Sequence, residues 1–456
     1  MKKTNNSDAM LSGSISKSIL NFFFPILIGT FFQQLYNTVD AVIVGRYAGT
    51  AALSSVGGSS GVIINLVVGF FTGLSNGCTV LISQYFGAKN QKKLEDSIHT
   101  AYAFAIAGGI FFGVLGMIFT PSLLRLMNLP EELMVQSTRY LTIYFAGLVF
   151  VFIYNMGASI LRALGDSKRP LLYLIICTII NIILDIVLVK NFGMDVVGVA
   201  IATVISQAIS SVLVTECLMH RTSAVKLLLK RIRFDKNLFI KMLKIGLPTG
   251  IQSSTYSISN MVIQSSINLF GVNTVAGWTA ESKVDVIFWM INGSFGTAAA
   301  TFVGQNFGAG NMERVKKGTR TCLFMSLGTA VFISAALYFF GRYPLMLFTS
   351  ETEVIEIGNH FIQLIVPTYF VFVFIEIFSA SLRARGDTLI TTICNLTGIV
   401  LLRVIWISIF GHKGNVDLVI ICYPVSWVVT AIMISAYYFF KTRKQNLFPS
   451  AKSDFK

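Results

Sequence analysis

The sequence predicts an all-α polytopic membrane protein, with twelve transmembrane helices in two six-helix bundles related by internal duplication. Three observations carry this prediction. Hydrophobic residues make up 54% of the 456-residue chain and charged residues only 12%, about half the share found in soluble domains. Its apolar runs are roughly 20 residues long, the length an α-helix needs to cross about 30 Å of hydrocarbon. Two motifs also recur at one constant separation. Gln84-Tyr85-Phe86-Gly87-Ala88-Lys89-Asn90 returns as Gln305-Asn306-Phe307-Gly308-Ala309-Gly310-Asn311, and Leu161-Arg162-Ala163-Leu164-Gly165-Asp166 returns as Leu382-Arg383-Ala384-Arg385-Gly386-Asp387, each 221 residues later. A fixed offset shared by two unrelated motifs marks a duplicated unit.

Taken in order, the spans are read at 17–44, 55–82, 98–120, 136–160, 170–190 and 196–219, then 240–268, 276–304, 319–340, 357–382, 389–410 and 416–440. The strands of a membrane barrel would alternate over ten-residue segments, and these runs are longer and uniformly apolar. Between the copies, Arg221 to Lys244 carries eight Lys or Arg against one Asp. The chain therefore divides into an amino-terminal bundle (1–220), a basic linker (221–239) and a carboxy-terminal bundle with a basic tail (240–456). Pro25 and Pro248 hold matching early positions in the first and seventh spans. Each removes a backbone hydrogen bond and bends its helix, as a hinge or as a kink packed by neighbours. Pro367 and Pro424 carry the same two readings.

The net charge is +15, but its placement excludes a nucleic-acid groove, because Lys and Arg sit between apolar spans. Lys2, Lys3, Lys92, Lys93, Lys168, Arg169, Lys316, Lys317, Lys441, Arg443 and the linker fall on one side. Only Arg46, Arg125, Lys190, Arg342 and Lys413, with Arg139 nearby, fall on the other. Both termini and the linker are thus expected in the cytoplasm, with the chain multi-pass in the cell (inner) membrane. With six spans each, the repeats share one orientation, and a cavity is expected between two bundles. The first apolar run is long enough to remain as a helix, so no cleaved signal is expected. Cys78, Cys177, Cys217, Cys322, Cys394 and Cys422 lie in apolar segments without metal spacing and read as packing residues.

These features resemble the multidrug and toxic compound extrusion (MATE) family over nearly the whole chain. The resemblance rests on the twelve spans, the paired QxFGAxN loops, the paired LRAxGD segments and the run Asn37-Thr38-Val39-Asp40-Ala41-Val42-Ile43-Val44-Gly45-Arg46. It implies export of organic, often cationic, compounds driven by inward flow of protons or sodium ions.

Ionisable groups inside a bilayer are costly and need a partner, water or a task. Asp40 follows Gln33, Tyr36 and Asn37 by seven, four and three residues, which lays a polar stripe along an apolar helix. The second repeat keeps Asn260 but has Ile263 where Asp40 would fall. Asn181 and Asp185 are four apart and neighbours on one turn. Two carboxylates and an amide together would bind a sodium ion through oxygens, or their repulsion and desolvation would hold a proton. The resemblance implies a cation site in the amino-terminal bundle made by an Asp, an Asn, an Asp and a Thr, and Asp40, Asn181, Asp185 and Thr203 fall at those positions. A hydroxyl bonded to its own helix backbone is the other reading of Thr203. Gln33, Tyr36, Asn37 and Asn155 are assigned to the substrate cavity.

The second half departs from the family's sodium-coupled pattern, which puts an acid in the seventh helix. That span holds Pro248, Gln252, Tyr256 and Asn260 and no acid. Glu281, Lys283 and Asp285 in the eighth span, Glu376 in the tenth and Arg403 in the eleventh are secondary candidates. Glu281 and Asp285 share a face; Lys283 and Arg403 read as charge partners for acids. Glu376 matches Asn155 by offset, and the two are expected to face each other across the cavity. The QxFGAxN loops lack a phosphate-binding pattern and read as helix ends stopped by Gly87 and Gly308. In the LRAxGD segments the Asp reads as a helix cap.

The leading expectation is a secondary antiporter working by alternating access, with no cofactor beyond the coupling proton or sodium ion. Its partners are a small organic substrate and membrane lipids, with no nucleic acid and no obligate protein partner. The alternative is a flippase for a lipid-linked or polysaccharide precursor, which needs a cationic cluster for pyrophosphate; Lys283 and Arg403 are few for that. An enzyme is disfavoured because His99, His220, His360 and His412 are scattered.

Overall fold

The computed structural model describes residues 9–127, 129–221, 225–411 and 414–447. Lys2, Lys3, His412, Lys413 and the last nine residues lie outside these. Every regular element among the described residues is helical. The first half holds α1 (Ile15–Tyr47), α2 (Ser59–Gly87), α3 (Gln91–Leu126), α4 (Glu131–Ala146), α5 (Leu148–Ala163), α6 (Lys168–Asp185) and α7 (Asp195–Glu216). The second holds α8 (Lys236–Ile267), α9 (Val272–Gly308), α10 (Met312–Phe340), α11 (Thr352–Ile365), α12 (Tyr369–Ala384), α13 (Thr388–Asn395), α14 (Leu402–Phe410) and α15 (Cys422–Leu447).

Among the described residues, ten helical stretches are long and apolar enough to cross a membrane, and α4 with α5, bent by 50°, pass the same test together as an eleventh when taken as one broken span. The remaining span is α8. It is long enough, but its second half carries Gln252, Ser253, Ser254, Thr255, Ser257, Ser259 and Asn260, so polarity rather than length sets it apart. Helices overrun the predicted spans, as α3 does at both ends, because hydropathy reads the hydrocarbon while the helix continues into the interface. The chain stays α-helical across the wet boundary.

Two compact units emerge, and they differ from the division read along the sequence. Phe24–Gly250 belongs to one, while Met10–Phe23 and the residues from Ile251 onward belong to the other. The first turns of α1 thus group with the second repeat, and the linker and first turns of α8 with the first. Both changes of unit fall within two residues of a helix proline, Pro25 and Pro248, where the ladder of backbone bonds is already interrupted. Sequence order has no access to this exchange.

Within the first unit, glycines make the exchange possible. A Cβ at Gly77 would lie 2.3 Å from the Met242 carbonyl oxygen and 2.5 Å from the Gly246 nitrogen, and one at Gly73 would lie 2.5 Å from the Gly250 Cα. Backbone therefore meets backbone between α2 and α8, which is the small-residue mode of membrane helix packing. Within the second unit the opening residues are held by polar bonds. Arg314 Nη2 donates to the Met10 and Gly13 carbonyls, both at 3.0 Å, and Asn306 Nδ2 donates to Met10 at 3.1 Å. Phe23 stacks on Phe295 with centroids 4.0 Å apart.

The repeated motifs are paired helix stops. After α2, the Lys89 N–H donates to Phe86 O and the Asn90 N–H to Tyr85 O, both at 3.1 Å; after α9, Gly310 and Asn311 repeat these bonds to Phe307 and Asn306 at 2.9 Å. This is a Schellman closure, followed at once by a cap: Asn90 Oδ1 accepts from the Lys93 N–H and Asn311 Oδ1 from the Arg314 N–H, each at 3.1 Å. The expected stops, Gly87 and Gly308, are the last helical residues. The left-handed turn is made two residues later, by Lys89 (φ 56°) and Gly310 (φ 73°). In the LRAxGD segments Gly165 (φ 88°) and Gly386 (φ 92°) make it. Asp166 Oδ1 caps the next helix by accepting from the Lys168 and Arg169 N–H groups. Asp387 makes no such side-chain cap and accepts Lys441 Nζ at 3.0 Å, tying α15 to this turn.

Lys89 occupies a conformation its counterpart fills with glycine. Lys89→Gly is therefore expected to stabilise the protein by about 0.5–1 kcal/mol, since a left-handed L-residue costs about 1–2 kcal/mol and glycine's unfolded-state freedom offsets part of the gain. Asn90→Ala, which loses the cap, should destabilise by about 1 kcal/mol. Thermal midpoints of the two purified variants in detergent, moving in opposite directions, check both.

Candidate functional site

In the first unit, α1, α4, α6 and α7 bring polar groups into an apolar interior. Four-residue steps along α6 set Cys177, Asn181 and Asp185 on one face, and all three are buried, Asn181 and Asp185 at 0% exposure. The α-helix ends at Asp185 and continues as a π segment, Ile186–Asn191. Such wide turns are frequent at functional sites. From α1, Tyr36 and Asp40 reach the same place. The Asp40 carboxyl lies near that of Asp185 and near the Tyr36 hydroxyl, close enough for each to act on its charge. The Tyr36 and Thr203 hydroxyls are hydrogen-bonded at 3.1 Å, so the described bond of Thr203 goes to α1 and not to its own backbone.

What these groups lack is as informative. Asp40 Oδ1, both carboxylate oxygens of Asp185, and both side-chain polar atoms of Asn181 are buried without a hydrogen-bond partner among the described residues. Native proteins leave few such groups, and each costs about 1–3 kcal/mol, more when charged. Four of these atoms are acceptor oxygens, three of them on carboxylates.

Tyr140 of α4 is a member that sequence reasoning missed. It is buried and lies in the electrostatic field of both Asp40 and Asp185. Its four-residue pairing with Tyr144, whose ring centroid is 6.4 Å away, is a stripe that sequence alone does not separate from packing. The polar stripe on α1 also divides: Tyr36 and Asp40 turn inward, whereas Gln33 and Asn37 are exposed. Asn155 of α5 is half-buried.

The second unit is organised differently. Ile263, where Asp40 would fall, is fully buried, and Asn260 is exposed. The polar groups of α8 enter a closed network. Gln252 Nε2 donates to the Tyr256 hydroxyl at 3.1 Å, which donates to Asn395 Oδ1 at 2.9 Å. Thr392 Oγ1 donates to Gln252 Oε1 at 3.5 Å. Glu281 and Asp285 share a buried face of α9 and interact with each other. Asp285 accepts the Trp289 indole N–H at 3.0 Å, while Glu281 Oε1 has no partner among the described residues.

Two expectations for this half need correction. Lys283 is exposed and makes no ion pair among the described residues, because it stands two residues, about 200° of helix, from both Glu281 and Asp285. Arg403 is buried, at 5% exposure, but its described contacts are not to a carboxylate. Its Nε donates to Ser426 Oγ at 2.9 Å and its guanidinium lies 4.1 Å from the Tyr423 ring centroid, a cation–π arrangement. Glu376 pairs with Arg383 Nη2 at 3.4 Å and lies against Gly296, where a Cβ would come within 2.1 Å of its Oε1. Glu376 and Asn155 belong to separate units.

Comparison with known proteins places the chain in a family. The MatE family profile matches residues 25–187 and again 248–409, one match to each repeat. The chain is similar to the probable multidrug resistance protein YoeA of Bacillus subtilis, with 29% identity over 443 residues, 95% of this chain and 96% of that one. It is 23% identical to an FAD transporter of Shewanella oneidensis, over 94% of this chain and 95% of that one. Among solved structures, a MOP-superfamily transporter from Pyrococcus furiosus superposes with a TM-score of 0.89 at 21% identity, over 98% of this chain and 100% of that one.

Proposed function

The chain belongs to the MatE family of membrane transporters, and from that premise we propose that it is a secondary antiporter exporting organic, cationic compounds in exchange for a proton or a sodium ion bound by Asp40, Asn181 and Asp185. That it is a multi-pass transporter of the compound-exporting kind follows from the family; MatE is not a class of enzymes. The finer reading rests on one observation, the two interacting carboxylates and one amide buried together without partners.

In this reading the side chains divide the work. With a cation present, Asp40 and Asp185 are neutralised as a pair, and α1 packs on α6 and α7 through the Tyr36–Thr203 bond. When the cation leaves, the carboxylates repel. Two unit charges about 4 Å apart in an effective dielectric of about 20 interact by about 4 kcal/mol. A shift of a two-state equilibrium from 1:99 to 99:1 takes about 5.5 kcal/mol, the same order as a repulsion of that kind. Pro25, whose missing N–H interrupts the ladder of α1, is where that helix bends in response. A cationic substrate that docks only on the ionised pair is then exchanged against the ion. Both termini and the linker lie in the cytoplasm, following the distribution of Lys and Arg.

The test is flux of a fluorescent organic cation in proteoliposomes of the purified protein, driven first by an imposed proton gradient and then by a sodium gradient. Flux under one gradient, collapsed by the matching ionophore, is expected and names the ion. Flux indifferent to both would overturn the antiport reading.

A further inference from the structure

The linker is not a slack tether. Residues 225–236 lie along the first turns of α3 and are fastened there at several points. The Leu228 N–H donates to His99 Nε2 at 3.1 Å, and the Asp235 N–H to Thr100 Oγ1 at 3.2 Å. Arg231 meets Glu95 at 3.9 Å and Arg233 meets Asp96 at 3.7 Å. Val225 and Leu227 are buried beneath the strap. The dock is particular to the first copy: 221 residues later, Glu95, Asp96 and His99 are replaced by Lys316, Lys317 and Arg320.

The outward side of this fixed strap combines two kinds of group. Leu228, Leu229 and Phe234 are 44%, 53% and 50% exposed. Between them Lys226, Lys230 and Lys236 are exposed and make no ion pair among the described residues. Apolar side chains interleaved with lysines are the composition of a segment lying in a membrane interface.

Its height agrees. At 1.5 Å per residue the 36 residues of α3 extend about 54 Å, about 24 Å more than the hydrocarbon. Shared between the ends, that is an overhang of about 12 Å each. The strap is tied at Glu95 to Thr100, about 6–14 Å from the first residue of α3. It therefore lies where acyl chains give way to headgroups.

We propose that residues 225–236 form an interfacial anchor selective for anionic phospholipids of the surrounding bilayer. Lys226, Lys230 and Lys236 meet the lipid phosphates, and Leu228, Leu229 and Phe234 enter the headgroup–acyl boundary. Each basic residue near such a surface is attracted by its negative potential. The His99 and Thr100 bonds hold the backbone so that these side chains are presented together rather than ordered on contact.

All six native cysteines are buried, so a thiol introduced at Phe234→Cys is labelled selectively by an environment-sensitive maleimide on the full-length protein. The labelled protein is placed in nanodiscs of mixed phosphatidylglycerol and phosphatidylcholine, with bromine quenchers on one lipid or the other. Leu229→Cys serves as a second position, so that one misfolded variant does not decide the matter. Phe332→Cys, at an exposed site within α10, is the lipid-facing control without basic neighbours. Quenching by the brominated anionic lipid is expected to exceed its mole fraction about fivefold, and to fall to the mole fraction in high salt or with Lys226→Gln, Lys230→Gln and Lys236→Gln combined. Phe332→Cys should show no preference. Equal quenching by both lipids at Phe234→Cys and Leu229→Cys would overturn the charge selectivity, and no quenching by either would overturn membrane contact.

Discussion

Asp40→Asn is expected to reduce gradient-driven export to the rate of empty liposomes while leaving the protein folded. The substitution keeps the shape of the side chain and removes the charge that faces Asp185. The remaining carboxylate no longer has a like-charged neighbour to repel, so ion release no longer changes the packing of α1. The transporter is held as though loaded. Because a buried charge is removed, the thermal midpoint should be unchanged or higher. Asp185→Asn is expected to behave in the same way. Tyr36→Phe should be milder, since it keeps both carboxyls and removes one hydroxyl, whose bond to Thr203 is worth about 1 kcal/mol or roughly fivefold in an equilibrium. Uptake of a fluorescent organic cation by everted vesicles, normalised to folded protein, checks all three. Full coupled flux from Asp40→Asn would transfer the coupling role to Glu281 and Asp285.

Gly77→Val is expected to destabilise the protein by about 3 kcal/mol or more, the upper part of the range for overpacking. The nearest atoms are backbone, the Met242 carbonyl at 2.3 Å and the Gly246 nitrogen at 2.5 Å. They cannot swing aside as a side-chain tip would, so α2 and the opening turns of α8 must separate. Those turns follow directly on the linker strap, and loosening them should also raise proteolysis between 225 and 236. Gly328→Ala, within α10 where nothing lies within 4 Å of the added Cβ, is the control and should raise the midpoint slightly, since alanine favours the helix by about 0.5–1 kcal/mol. Monodispersity and thermal midpoint in detergent separate the two variants.

Much of this was legible from residue order, for identifiable reasons. Length and apolarity marked twelve spans, because the bilayer imposes both on any crossing helix. The duplication was legible because two turn geometries, a left-handed residue followed by an Asn or Asp, constrain sequence tightly at both copies. Asn181 and Asp185 were visible as neighbours through helical periodicity, and Asp40 through its cost in an apolar span. What stayed hidden depends on three-dimensional neighbours. The exchange of the first turns of α1 and α8 between units follows from close glycine packing for α8 and from bonds of Arg314 and Asn306 for the residues that open α1, and neither carries a sign of its partner. Tyr140 joins Asp40 and Asp185 from a helix whose sequence looks like packing. Lys283 and Arg403 had the right charges for buried acids, but rotation about one helix exposes the first, and Tyr423 with Ser426 holds the second.

The account turns on whether the Asp40–Asp185 pair carries the ion that substrate displaces. The direct measurement is ion release on substrate binding by the purified protein in weakly buffered detergent solution. A pH indicator and a sodium electrode are read together as an organic cation is added. Release of about one coupling cation per bound substrate is expected from the wild type, since binding and release are linked, and none from Asp185→Asn. Undiminished release from folded Asp185→Asn would contradict the account.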